Sequence, residues 1–209
     1  MKKIFPTRKK GISFLSKKWI LAICLVSIAG NTPATQPPKS GKAYVVSNAH
    51  MDTQWLWTVQ TSIIDYIPRT IYQNLALIRD YPNYIFNFEG AIKYNWMKEY
   101  YPLDYEKVKE AIKNGRWHVS GSSWDANDVN VPSPESSFRN ILLGQEFYKK
   151  EFGLKSTDIF LPDCFGFGYT LPSIAKHCGL IGFSTQKLGW RKKPFYGDSK
   201  IPFTIGRWK

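Results

Sequence analysis

Apolar side chains recur along this chain at two different spacings. Ile64, Ile67, Ile71, Leu75 and Ile78 fall at three- and four-residue steps, which places them on one stripe of a helix. Pro68 starts or kinks that helix and Pro82 lies just beyond it, since proline lacks the N–H an interior position needs. Phe138, Ile141, Leu142, Gln145, Tyr148 and Phe152 line a second helix that opens at Ser133-Pro134-Glu135 and stops at Gly153, a residue suited to a left-handed cap. Further helices are expected over 91–99, over 104–114 with Asp104 as N-cap and Gly115 as the stop, and over 171–177 ahead of Gly179. Between them, residues 43–47, 84–88, 117–121, 158–161 and 182–185 are rich in β-branched and aromatic side chains and read as strands. The order is βαβαβαβαβ, which predicts a mostly parallel sheet, open or closed into a barrel. The barrel is favoured because His50, Asp52, Asp128 and Asp163 all fall just past predicted strand ends, where a (β/α) barrel gathers its reactive groups.

The chain has 209 residues, 43% of them hydrophobic, enough for one domain with a sizeable core. Its formal charge of +13 suggests an anionic partner. Eight of its 29 lysines and arginines, however, lie within the first 40 residues, where no acid occurs, leaving 21 against 16 acids elsewhere. That remainder is too dilute for nucleic-acid binding. The early charge instead precedes an apolar run from Trp19 to Ile28, with small residues Ser27 and Ala29 near its end, the layout of an export signal. The run is about a dozen residues where a membrane span needs ~20, so no stable span is expected. Residues 1–30 are read as a signal peptide, 31–42 as a spacer rich in Pro, Thr, Ser and Gln, and the protein as secreted, periplasmic or extracellular. Beyond the signal, Cys164 and Cys178 remain. Two thiols make no disulfide scaffold and are expected free.

The candidate chemistry sits in two segments. His50-Met51-Asp52 offers an imidazole nitrogen and a carboxylate oxygen two residues apart, and Leu161-Pro162-Asp163-Cys164-Phe165-Gly166 offers a second carboxylate after another strand. Such a donor set suits a borderline cation such as zinc. Ser47-Asn48-Ala49-His50-Met51-Asp52-Thr53-Gln54-Trp55 together with Pro162-Asp163-Cys164-Phe165-Gly166 resembles the two signature segments of glycoside hydrolase family 38, the retaining α-mannosidases. The likeness runs from about Tyr44 to the end of the chain.

The resemblance implies a seven-stranded (β/α) barrel of the glycoside hydrolase/deacetylase type, truncated at its C-terminal side, with 43–209 as the N-terminal part of the catalytic domain. It implies His50, Asp52 and Asp163 as zinc ligands. A fourth ligand, a histidine, and the general acid/base are expected beyond Lys209. Asp163 would also be the catalytic nucleophile that gives a covalent glycosyl-enzyme, and Trp55 and Phe165 would contact the sugar. The implied substrate is a glycan bearing terminal α-mannose, and the oligomeric state is left open. Asp128 is read as a supporting residue, Glu89 as a helix cap, and His118 and His177 as lying outside the site. Two alternatives stand beside the mannosidase: a metal-dependent polysaccharide deacetylase, in which metal-activated water is the nucleophile, and a catalytically inactive fragment.

Overall fold

The computed structural model of the chain describes residues 42, 44–187 and 206–207. The segments read as signal (1–30) and spacer (31–42) lie outside the described residues, Lys42 aside. A compact unit begins at Val45. Its described strands are β1 (Ser47–Asn48), β2 (Phe86–Glu89), β3 (Trp117–Ser120), β4 (Asp158–Phe160) and β5 (Gly182–Ser184). Its helices are α1 (Ile67–Asp80), α2 (Ala91–Tyr100), α3 (Pro102–Lys113), α4 (Pro134–Phe152) and α5 (Leu171–His177). All strand pairs are parallel, with Ser47 opposite Phe86, Phe86 opposite Trp117, and Asp158 opposite Gly182. The four residues of β2 are buried on both faces, as expected of a central parallel strand covered by helices.

The expected seven-stranded barrel is corrected here. The described residues form two separate short sheets, ordered β1-β2-β3 and β4-β5, and no closed barrel. The interruption falls between β3 and β4 and has a chemical cause. Gly121 turns at φ 64° immediately after β3, and its N–H is met by the Asp158 carboxylate at 3.3 Å. The Ser122 hydroxyl donates to the Asp158 carbonyl at 2.7 Å. Side-chain bonds thus occupy main-chain groups that a ladder would use.

Local expectations fare unevenly. Helix α4 opens where Ser133 accepts from the Ser136 N–H and closes at Gly153 with φ 69°, as its sequence predicts. Helix α3 begins two residues earlier than expected, with Pro102 in its first turn and Tyr101 as the cap. Asp104 accepts instead from Tyr72 and Lys107. Ahead of Pro68 the chain winds through a helical turn at Val59–Thr61 and a wider π-helical stretch at Ser62–Tyr66. That stretch bears on the site, because the buried Ser62 hydroxyl donates to the Thr53 carbonyl at 2.9 Å and accepts from Trp57 Nε1 at 2.8 Å. It thereby pins the segment that carries His50 and Asp52.

Two apolar cores hold the unit together. The first packs Phe86, Phe88, Tyr94, Trp117 and Tyr148 between the β1-β2-β3 sheet and its helices. The second joins Ile141, Ile159, Leu161, Leu171, Ile174 and Leu180 around β4 and α5. Among the described residues no helix is long and apolar enough to cross a membrane.

Candidate metal centre

β1 ends at Asn48 and the backbone continues through His50, Met51 and Asp52. Successive side chains of an extended chain point to opposite sides. Met51 is 7% exposed and belongs to the first core, while His50 and Asp52 on either side of it line a cleft with the residues that follow β4. There the buried Leu161 anchors the turn that delivers Asp163. His50 Nε2 lies 3.3 Å from Asp52 Oδ1 and 3.9 Å from Asp163 Oδ2. One ligand atom from each of the three residues falls within 4.8 Å of the others.

The His50–Asp52 separation suits an ion as it stands, with Asp163 slightly farther out. Zinc bonds of about 2.0–2.2 Å to nitrogen and oxygen in tetrahedral geometry put neighbouring ligand atoms roughly 3.3–3.6 Å apart. His50 Nε2 is buried and makes no hydrogen bond, and it is this nitrogen that faces the two carboxylates. Its other nitrogen, Nδ1, bonds Glu89 Oε1 at 3.1 Å. Imidazole metal ligands regularly use a carboxylate in this way to fix ring orientation. The Glu89 hydrogen bond raises the His50 pKa from its ordinary value, against the opposing effect of burial. Burial pushes the Glu89 carboxyl up, but the Lys93 ammonium and His50 outweigh it and hold the acid below its usual value.

The three residues line a cleft of about 200 Å³ together with Asp128, Cys164 and Phe165. A larger cleft of about 660 Å³, lined by Phe138, Ile141, Leu142 and Cys178 among others, shares no residue with it. Trp55 is 66% exposed and packs edge-on against Trp57 at 5.8 Å, while Phe165 is 48% exposed. Both side chains are thus partly open to solvent. Cys164 donates to the Asn127 carbonyl, and burial pushes its thiol up to about 11, which removes it as a thiolate nucleophile at neutral pH. Asp128 accepts from the Asn130 and Val131 N–H groups. Asp125 accepts from Thr53 Oγ1 at 2.8 Å and from the Ala126 N–H, tying the His50 segment to the loop after β3. His118 and His177 are absent from the cleft.

Sequence reasoning missed three members. Glu89, read as a helix cap, backs the imidazole; α2 is entered through Gly90 without a side-chain cap. Lys93 is fully buried beside Glu89. Lys187 pairs with Asp163 Oδ1 and sits 4.8 Å from the Phe165 ring centre. The strand-end position of Glu89 was a signal for it, whereas nothing in the local pattern marks either lysine.

Residues 40–204 match the Glycosyl hydrolases family 38 N-terminal domain. The chain is 38% identical over 168 residues to alpha-mannosidase G of Dictyostelium discoideum, covering 80% of this chain and 15% of that protein. It is 35% identical to human alpha-mannosidase 2C1 over 70% of this chain and 14% of the relative. The chain thus spans about a seventh of the length of these curated relatives. Among solved structures, an alpha-mannosidase from Enterococcus faecalis V583 superposes with a TM-score of 0.60 at 25% identity, over 67% of this chain and 16% of that one. The expected export to the periplasm or extracellular space is corrected: the slime-mould and human relatives give an exported protein no support, and that location is withdrawn.

Proposed function

The chain belongs to glycosyl hydrolase family 38, and on that premise we propose that His50, Asp52 and Asp163 hold a zinc ion in an α-mannosidase that works by a retaining mechanism. The observation carrying this reading is the convergence of three ligand atoms within 4.8 Å from two separate sheets, with the imidazole already backed by an acid. Zinc, when bound, supplies Lewis-acid stabilisation and a grip on vicinal hydroxyls of the terminal mannose.

The remaining chemistry belongs to the side chains. Asp163 attacks the anomeric carbon, the glycosidic C–O bond breaks, and the departing oxygen takes a proton from a carboxylic acid; water then opens the glycosyl-enzyme with the same stereochemistry as the substrate. Asp163 is 34% exposed, and Lys187 engages its Oδ1 while Oδ2 faces His50. Neither Asp125 nor Asp128 is assigned as the acid, because both accept hydrogen bonds from neighbouring loop groups. Trp55, 66% exposed, is available to the C–H surface of the sugar, and Phe165 lines the cleft that holds the three ligands.

An activated fluoro-mannoside tests the assignment. Mass spectrometry should find the trapped sugar on the peptide containing Asp163, and Asp163→Asn should abolish both trapping and release of an aryl aglycone. A label on another side chain, or an Asp163→Asn variant with undiminished hydrolysis, would refute it. Acetate release from an acetylated sugar, with no aglycone release, would favour the deacetylase instead.

A further inference from the structure

Behind His50 lies an ion pair withdrawn from water. Glu89 is 2% exposed at its side chain and Lys93 is 0% exposed, with Lys93 Nζ 3.0 Å from Glu89 Oε1. The same Oε1 is 3.1 Å from His50 Nδ1. Gly90 joins the strand to the helix at φ 87°, a backbone that L residues rarely adopt, and the Lys93 side chain packs over it, with Cε and Nζ 3.4 Å from where a Cβ would stand. The ammonium also lies 5.3 Å from the Phe88 ring centre, which suits a cation removed from solvent.

An ammonium only donates and a carboxylate only accepts. With Lys93 held against it, Glu89 stays an acceptor, and the proton between Glu89 and His50 belongs on Nδ1. Nε2 then carries the lone pair, and it is this buried atom, without a hydrogen bond of its own, that faces Asp52 and Asp163. A neutral ring with the opposite tautomer would turn an N–H toward the ion's place and repel it.

We propose that the buried Glu89–Lys93 pair is a positioning device that selects the Nδ1–H tautomer of His50 and so presents Nε2 for a divalent cation. The inference rests on the metal site proposed above, but its direct readout does not need a bound ion. Mutating such a partner behind a metal-binding histidine typically lowers affinity by about 10- to 100-fold.

Long-range ¹H–¹⁵N correlation spectra of the full chain at pH 9, with and without zinc, should give His50 a protonated Nδ1 and a bare Nε2. In Glu89→Gln that preference should be lost, and zinc affinity, measured against a chromogenic chelator, should fall about 10- to 100-fold. Because Glu89→Gln strands the buried Lys93 ammonium, the double variant Glu89→Gln/Lys93→Met removes both charges together and should show the same two effects if the single variant fails to fold. A protonated Nε2 in the wild-type chain overturns the proposal. So does a folded variant whose tautomer, or whose zinc affinity, matches the wild type. Asp52→Asn serves as the control for the site itself: a wild-type chain that takes up no zinc, or keeps its affinity without Asp52, defeats the metal reading. The tautomer measurement then still decides the role of Glu89 and Lys93.

Discussion

His50 and Asp163 face each other from two sheets whose supporting cores differ in kind. Among the described residues the first core has 16 buried members, seven of them aromatic, whereas the second has six and no buried aromatic residue. On the His50 side the packing carries polar order as well: Trp117 Nε1 donates to Tyr94 Oη at 2.9 Å, and Tyr94 donates to the Phe88 carbonyl at 3.0 Å. Phe88 is one residue from Glu89, so this order runs to the support of the imidazole. On the Asp163 side, β4 and β5 are three residues each and the nucleophile candidate is 34% exposed. Ring orientation is thus fixed from within, while the acid is placed by a short turn and a lysine. The contrast predicts unequal costs of truncation. Trp117→Ala should lose about 3–5 kcal/mol, and Ile174→Ala should fall toward the low end of about 2–5 kcal/mol, both from urea unfolding of the full chain. Equal costs would mean that the two cores are one cooperative mass.

Helix α4 touches both cores, giving Tyr148 to the first and Ile141 to the second. Gly144 lies between them, and a Cβ there would meet the Ser122 carbonyl oxygen at 2.2 Å and the Ser123 carbonyl carbon at 2.4 Å. Those are main-chain atoms, which cannot swing aside as a side-chain end can. Alanine would otherwise favour the helix by up to about 1 kcal/mol, but the overlap should outweigh this and leave Gly144→Ala destabilised by about 1–3 kcal/mol. An unchanged unfolding midpoint would show that α4 can shift without disturbing the loop after β3, and that the two halves of the site are coupled some other way.

Much of this arrangement is legible in the chain, and the exceptions share a cause. Helix α4 is readable at both ends because Ser133 and Gly153 act through their own backbone neighbourhoods. The His50, Asp52 and Asp163 grouping is readable because the two segments are short motifs at strand ends. Residues 43–47 satisfy every composition rule for a strand, yet among the described residues there pairing starts only at Ser47, and Val45 and Val46 are 88% and 69% exposed. Strand formation needs a partner, and a partner is a property of the fold. The break between the sheets is of the same type, since Asp158 becomes a capping group only once it lies beside Gly121. Lys93 is the clearest case: charge predicts an exposed residue, and only the spatial meeting of β1, β2 and α2 makes a buried lysine useful.

The smallest expected effect concerns the tie between the His50 segment and the loop after β3. Burial raises the Asp125 carboxyl above its usual value, against the hydrogen bond from Thr53. A carboxyl whose folded pKa is raised stabilises the fold most below its unfolded value, and that contribution fades as pH rises through the folded value. Ionised Asp125 is therefore a modest cost at neutral pH. Asparagine can accept from the Ala126 N–H with Oδ1 and donate to Thr53 Oγ1 with Nδ2, keeping both links without the charge. Asp125→Asn should leave stability at pH 7 within about 1 kcal/mol of the wild type, on the favourable side. That advantage should shrink as pH falls toward 3.8, the ordinary carboxyl value, where the wild-type acid also becomes neutral. Urea midpoints at the two pH values measure the difference directly. A variant that instead grows weaker as pH rises would mean that the charge itself holds the fold, and the Lys93 ammonium, which favours ionised Asp125, would then serve two acids instead of Glu89 alone.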